Sequence, residues 1–151
     1  MSKITPFLWF DHQAEEAMNF YVATFKNSKV LGVTPGPNGI AFSVNFMLEG
    51  QEFIALNAGP VFKFNEAVSF FVDCKSQEEV DELWDKLSAG GEEGQCAWVK
   101  DKFGLWWQIV PSVLGELLGA PDRVKSQRVM DAMLKMKKII IADLKQAYEQ
   151  E

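Results

Sequence analysis

The chain has 151 residues, 48% of them hydrophobic and 13% aromatic, enough for one packed domain or two small modules sharing a core. Its net charge of -6 and pI near 4.9 argue against nucleic-acid and anionic-membrane partners, which require clustered Lys and Arg. No apolar run approaches the roughly 20 residues of a membrane span and no signal-peptide pattern is present, so a cytoplasmic protein with no membrane partner is expected.

In chain order, FLWF predicts a strand, and the Glu15–Glu16 pair then opens a helix whose buried face is Ala14, Ala17, Met18, Tyr21 and Phe25. KVLGVTP, IAFSVNFML and QEFIALN alternate as strands, separated by turn signals at residues 36–39 and at Glu49-Gly50, and form a three-strand meander. NAGPVFKF (residues 57–64) links onward. SFFVDC then starts a second strand–helix unit, with Ser76 and Glu79 as a capping box and AGG (residues 89–91) as the stop. The Glu78–Glu79 pair repeats Glu15–Glu16 at an offset of 63 residues, so one strand–helix unit is used twice.

The second unit closes with CAWVK and LWWQIV joined by DKFG, and any strand within GEEGQ must be very short. Three divisions follow: a first module over residues 1–60, a shortened second module over 61–112, and a helical tail over 113–151. The tail holds SVLGELLG, then a helix through RVKSQRVMDAMLKMKKI whose end carries the basic stretch Lys135–Lys138, then a last amphipathic turn or two. Cys74 and Cys96 show no metal-like spacing, and reduced thiols are expected.

Taken together, TPFLWFD, QAEEAMNFY, ALNAGPVFKF, EAVSFFVDC, GGEEGQCAWVKDKFGLWWQIVP and the tail's RVMDAMLKMKKI make the chain resemble the PhnB-like family of the vicinal oxygen chelate superfamily. This superfamily is that of glyoxalases, bleomycin-resistance proteins and dioxygenases. The PhnB-like family also carries the name 3-demethylubiquinone-9 3-methyltransferase-like. The resemblance implies an α+β fold of paired βαβββ modules forming a cupped mixed sheet, with C-terminal helices, and it implies a homodimer. The methyltransferase name finds no support in the residues. FDHQAEE lacks a glycine-rich turn between strand and helix, and GVTPGPNG is a hairpin turn.

In that superfamily four strands present His and Glu to a metal. Matching strand by strand places those positions on Thr5, on the Ala55/Asn57 face, on Ala67 or Ser69, and on Gln108. Neutral amides and a hydroxyl make a poor divalent-cation site, so neither a metal nor another cofactor is expected. The sole histidine, His12, suits a left-handed turn between strand and helix.

What these positions suit is a small-molecule pocket. Thr5, Asn57, Ser69 and Gln108 supply hydrogen bonds among the rings of Phe7, Trp9, Phe53, Phe71 and Trp106, and Phe62 and Phe64 offer a further wall. Phe10, Phe70 and Trp107, on alternate positions, belong to the core. The expected function is binding of a small apolar or aromatic molecule. The alternative is a metal-dependent lyase, isomerase or dioxygenase with ligands elsewhere.

Overall fold

The computed structural model describes residues 3–150. The chain divides into two compact units, Met1–Phe64 and Asn65–Glu151.

In the first unit, β1 (Phe7–Phe10) leads into α1 (Ala14–Thr24), then β2 (Lys29–Pro35), β3 (Ala41–Leu48) and β4 (Gln51–Asn57). The sheet order is β1-β4-β3-β2, with β1 parallel to β4 and the other pairs antiparallel. Glu49 and Gly50 both take positive φ, 48° and 85°, as a two-residue turn between β3 and β4 needs. Strand alternation decides which face is covered. Leu8, Phe10, Val44, Phe46, Phe53 and Ala55 are buried, and α1 lays Ala14, Ala17, Met18 and Tyr21 on the same side, the Tyr21 ring lying 6.2 Å from that of Phe46.

The second unit repeats the pattern. β5 (Ser69–Cys74) and α2 (Gln77–Ser88) are followed by β6 (Glu92–Glu93), β7 (Trp98–Lys100) and β8 (Trp106–Pro111). The order β5-β8-β7-β6 again pairs the first strand parallel to the last. The expected short strand in GEEGQ is the two-residue β6. Ser76 caps α2 by accepting from Glu79 N, while the Glu79 carboxylate reaches back to Lys75 N, one residue beyond the usual partner of a capping box. Val80, Leu83, Trp84 and Leu87 of α2 are buried on the side of Val99, Trp107 and Ile109.

The DKFG turn holds more than a hairpin requires. Asp101, only 2% exposed, accepts hydrogen bonds from Phe103 N, Leu105 N and Trp107 Nε1 at 2.9–3.0 Å. It fixes the turn and the core tryptophan together.

After β8 come α3 (Ser112–Leu118), α4 (Arg123–Met133) and α5 (Ile141–Glu149). Leu114, Val129 and Leu144 on these helices, with Ile139 from the link between α4 and α5, gather around Ala97 and Val110, a small second core that joins the tail to the β7–β8 end. The expected long helix stops at Met133, so Lys135–Lys138 lie beyond it rather than in its last turn. Tertiary pairing overrides helix continuation here: the Met136 and Lys137 carbonyls accept from Cys96 N and Ala97 N, whose φ angles are left-handed at 55° and 80°. Gln77 adds a clamp, donating to Ile139 O and accepting from Ile141 N, and Lys138 pairs with Asp81 at 3.0 Å.

Among the described residues no helix is long and apolar enough to cross a membrane. Both cysteines are free thiols. Burial, reinforced by the nearby Glu79 and Asp73 charges, pushes the Cys74 thiol up to about 12. It stays protonated at neutral pH and should resist iodoacetamide in the native protein, becoming alkylated only on unfolding. Mass mapping of labelled peptides checks this, and rapid native labelling of Cys74 would contradict it.

Candidate functional site: the open face of the second sheet

Opposite α2, the second sheet presents three rows of side chains, two residues apart along each strand. Ser69, Trp106 and Lys100 form the first row, Phe71, Gln108 and Trp98 the second, and Asp73 and Val110 the third. Gln108 is thus the central polar group of an aromatic surface. Its Nε2 donates to Ser69 Oγ at 2.9 Å, and its carbonyl oxygen is the amide's acceptor. Trp98 and Trp106 meet edge to face with centroids 6.0 Å apart, and Phe71 is 61% exposed. Along the strands the rows span about 13 Å, with Lys100 in the first row and Asp73 in the third.

Four expected residues, Ser69, Phe71, Trp106 and Gln108, therefore share one face. Trp98 and Lys100 belong with them and were missed, although the alternation of WVK across the hairpin carries the signal. At the far end Asp73 accepts from Lys75 Nζ at 2.6 Å and Ser112 Oγ at 2.7 Å, and these two bonds hold its carboxyl below the usual range.

In the first unit, Phe7 (58% exposed) and Trp9 share the face opposite α1, opposite Ile54 and Leu56. Trp9 is anchored by its Nε1–H to Gly59 O at 2.9 Å and meets Phe62 edge to face at 4.8 Å. Thr5 sits half-buried just before β1. Phe64 packs on the core residue Phe10 instead, with centroids 5.2 Å apart.

Two expected residues move off this face. Phe53 is buried and stacks on Phe46, centroids 5.4 Å apart and planes 5° from parallel. Asn57 lies on the α1 side, where Oδ1 accepts from Ala14 N and Nδ2 donates to Ala41 O, both at 2.9 Å. Parallel pairing with β1 sets this register, bringing Glu52, Ile54 and Leu56 to the open face. Glu52 is consequently a carboxylate on that face which the sequence reading passed over. His12 also differs from expectation: it is not among the left-handed residues, and its exposed ring lies 3.5 Å from Asp11.

Metal chemistry has little to work with. Thr5, Ser69 and Gln108 are neutral donors, and no three His, Cys, Asp or Glu side chains converge among the described residues. The donor set does not fit a catalytic divalent cation.

Two four-stranded mixed sheets, each built from a strand–helix–strands unit, define the class: the paired-module fold of the vicinal oxygen chelate superfamily. Within it the chain belongs to the family described as 3-demethylubiquinone-9 3-methyltransferase, whose model matches residues 2–110. The tail, part of the resemblance seen in the sequence, lies beyond that match. A PhnB protein from Bacillus cereus is similar at 32% identity, with 74% of this chain and 100% of that chain covered and a TM-score of 0.70. Protein PA1353 from Pseudomonas aeruginosa shares the fold at 17% identity and TM-score 0.60, over 74% of this chain and 98% of that one. The fosfomycin resistance protein FosX from Listeria monocytogenes does so at 15% and 0.54, over 79% and 98%. Among proteins of curated function, none matches the chain.

Proposed function

We propose that the protein binds a small planar, largely apolar molecule on the Gln108 face, without a metal, and acts as a binder. The observation that carries this is a half-buried amide at the centre of an aromatic surface, held by Ser69 and flanked by Trp98, Trp106 and Phe71. Ring faces stack on a planar ligand for about 0.5–1.5 kcal/mol per pair, and the amide carbonyl selects a donor on its edge. Lys100 adds a cation for an acceptor at the Trp106 end. Phe7, Trp9 and Phe62 give the first unit an apolar aromatic surface of its own, and the exposed apolar side chains of both units support a homodimer.

Methyl transfer, despite the family's description, is not supported. The Asp11–Gln13 link from β1 to α1 carries no glycine, and neither sheet is doubly wound. FosX shares the fold, but at 15% identity its chemistry does not transfer.

Indole serves as a neutral planar probe, with binding followed by amide chemical shifts. Gln108→Ala should weaken its binding about tenfold, the worth of one hydrogen bond, and leave the melting midpoint within about 2 °C. A collapse of the midpoint would make Gln108 a structural residue and overturn the assignment.

A further inference from the structure

At the third row the sheet face does not end in solvent. The tail's first helix turns over it and leaves an open groove of about 260 Å³, lined by Phe71, Val110, Leu114, Gly115 and Leu118, with Asp73 on its rim. The groove is almost wholly apolar in its lining, and two features indicate that it is built to hold something.

The first is Gly115, in the middle of a helix, where glycine costs about 1 kcal/mol relative to alanine. No packing demands it, because a Cβ there would meet nothing within 4 Å. What the missing side chain preserves is room in the groove. The second is charge. Asp73, Glu79 and Glu116 all act on Lys75, the ammonium at this corner, and Lys75 is already committed to Asp73. Arg123 is turned to the carbonyls of Leu118 and Ala120 that close α3. Among the residues lining the groove Asp73 alone is charged, and it stands over an apolar floor.

We propose that this groove is a second binding site, for an aliphatic or aromatic molecule bearing an ammonium group. The apolar body would lie between Phe71 and the Leu114–Leu118 side of α3, with the ammonium at Asp73. The site goes beyond the Gln108 reading: it takes up Phe71, Asp73 and Val110 at the far end of that face and none of Ser69, Trp98, Trp106 or Gln108. Its helix wall, Leu114, Gly115 and Leu118, belongs to the tail, past the residues that the family model matches, while Phe71, Asp73 and Val110 lie within them.

Octylamine, octanol and octanoate, titrated into the full-length protein, test this through the NMR signals of Val110, Leu114, Gly115 and Leu118. Octylamine should shift them saturably, octanol more weakly, and octanoate least. Asp73→Asn should cut the preference for octylamine over octanol by about threefold or more, as expected for one partly exposed charge. Gly115→Leu should abolish the octylamine response while indole still perturbs Trp106 and Gln108. Gly115→Ala, which removes far less space, should keep it. Circular dichroism confirms that both variants are folded. Equal binding of octanoate, or an unchanged response in Gly115→Leu, would overturn the site. Loss of the indole response alone would instead overturn the Gln108 reading and leave this one standing.

Discussion

Asp101→Ala should cost about 3 kcal/mol, because three N–H donors in and beside the core lose their acceptor together. For a chain of this size that lowers the thermal midpoint by on the order of 10 °C. The carboxylate is 2% exposed and serves Phe103 N, Leu105 N and Trp107 Nε1 at once, so water has little access to replace it. Asp101→Asn should lie between wild type and alanine. Its carbonyl can still accept from the turn amides, but its amino group meets the Trp107 donor. Thermal unfolding followed by circular dichroism measures both, and a shift below about 2 °C for alanine would mean that the turn is held by its backbone alone.

The second large effect is expected at Asn57. This side chain joins the start of α1 to β3, accepting from Ala14 N and donating to Ala41 O. Ala14 N is one of the orphan donors of the helix start, and Gln13 makes no side-chain cap of its own. Asn57→Ala should therefore destabilise by about 2 kcal/mol. Asn57→Asp should recover part of the loss, keeping the acceptor and adding a negative charge at the helix N-terminus. Neither variant should change the response to indole. If Asn57→Ala abolished binding with its midpoint intact, the face assignment of β4 would be wrong.

Those two residues also show what the sequence made legible. The doubled strand–helix unit was readable from the Glu-Glu offset and the apolar alternation, and both modules folded as that pattern required. The face of β8 was readable as well. Gln108 interrupts an apolar run and marks the open side, and its neighbours Trp106 and Trp107 divide between solvent and core. β4 is marked more faintly. Phe53, Ile54, Ala55 and Leu56 are apolar on both faces, so within them period-two contrast vanishes, and only Glu52, in phase with Ile54 and Leu56, signals the open side that pairing with β1 and β3 sets.

Asp101 was hidden for a different reason. DKFG has the composition of a solvated turn, and nothing local reveals that its first side chain folds back into the core. The early end of α4 was equally hidden, since it depends on Met136 and Lys137 pairing with Cys96 and Ala97, some 40 residues away in sequence. Local propensity favours continuation there, and long-range hydrogen bonds decline it. Trp98 and Lys100, by contrast, were within reach, because a hairpin partner of β8 must place alternate residues beside Gln108.

The central claim is that the Gln108 face holds a small molecule without a metal. Native mass spectrometry of the full-length protein purified without chelator, paired with elemental analysis, tests it most directly. The account predicts no stoichiometric divalent ion, and a small-molecule adduct that is diminished in Gln108→Ala. A stoichiometric ion that stays bound in Gln108→Ala would contradict it, and would turn attention to Glu52 as the carboxylate on the open face of the first unit.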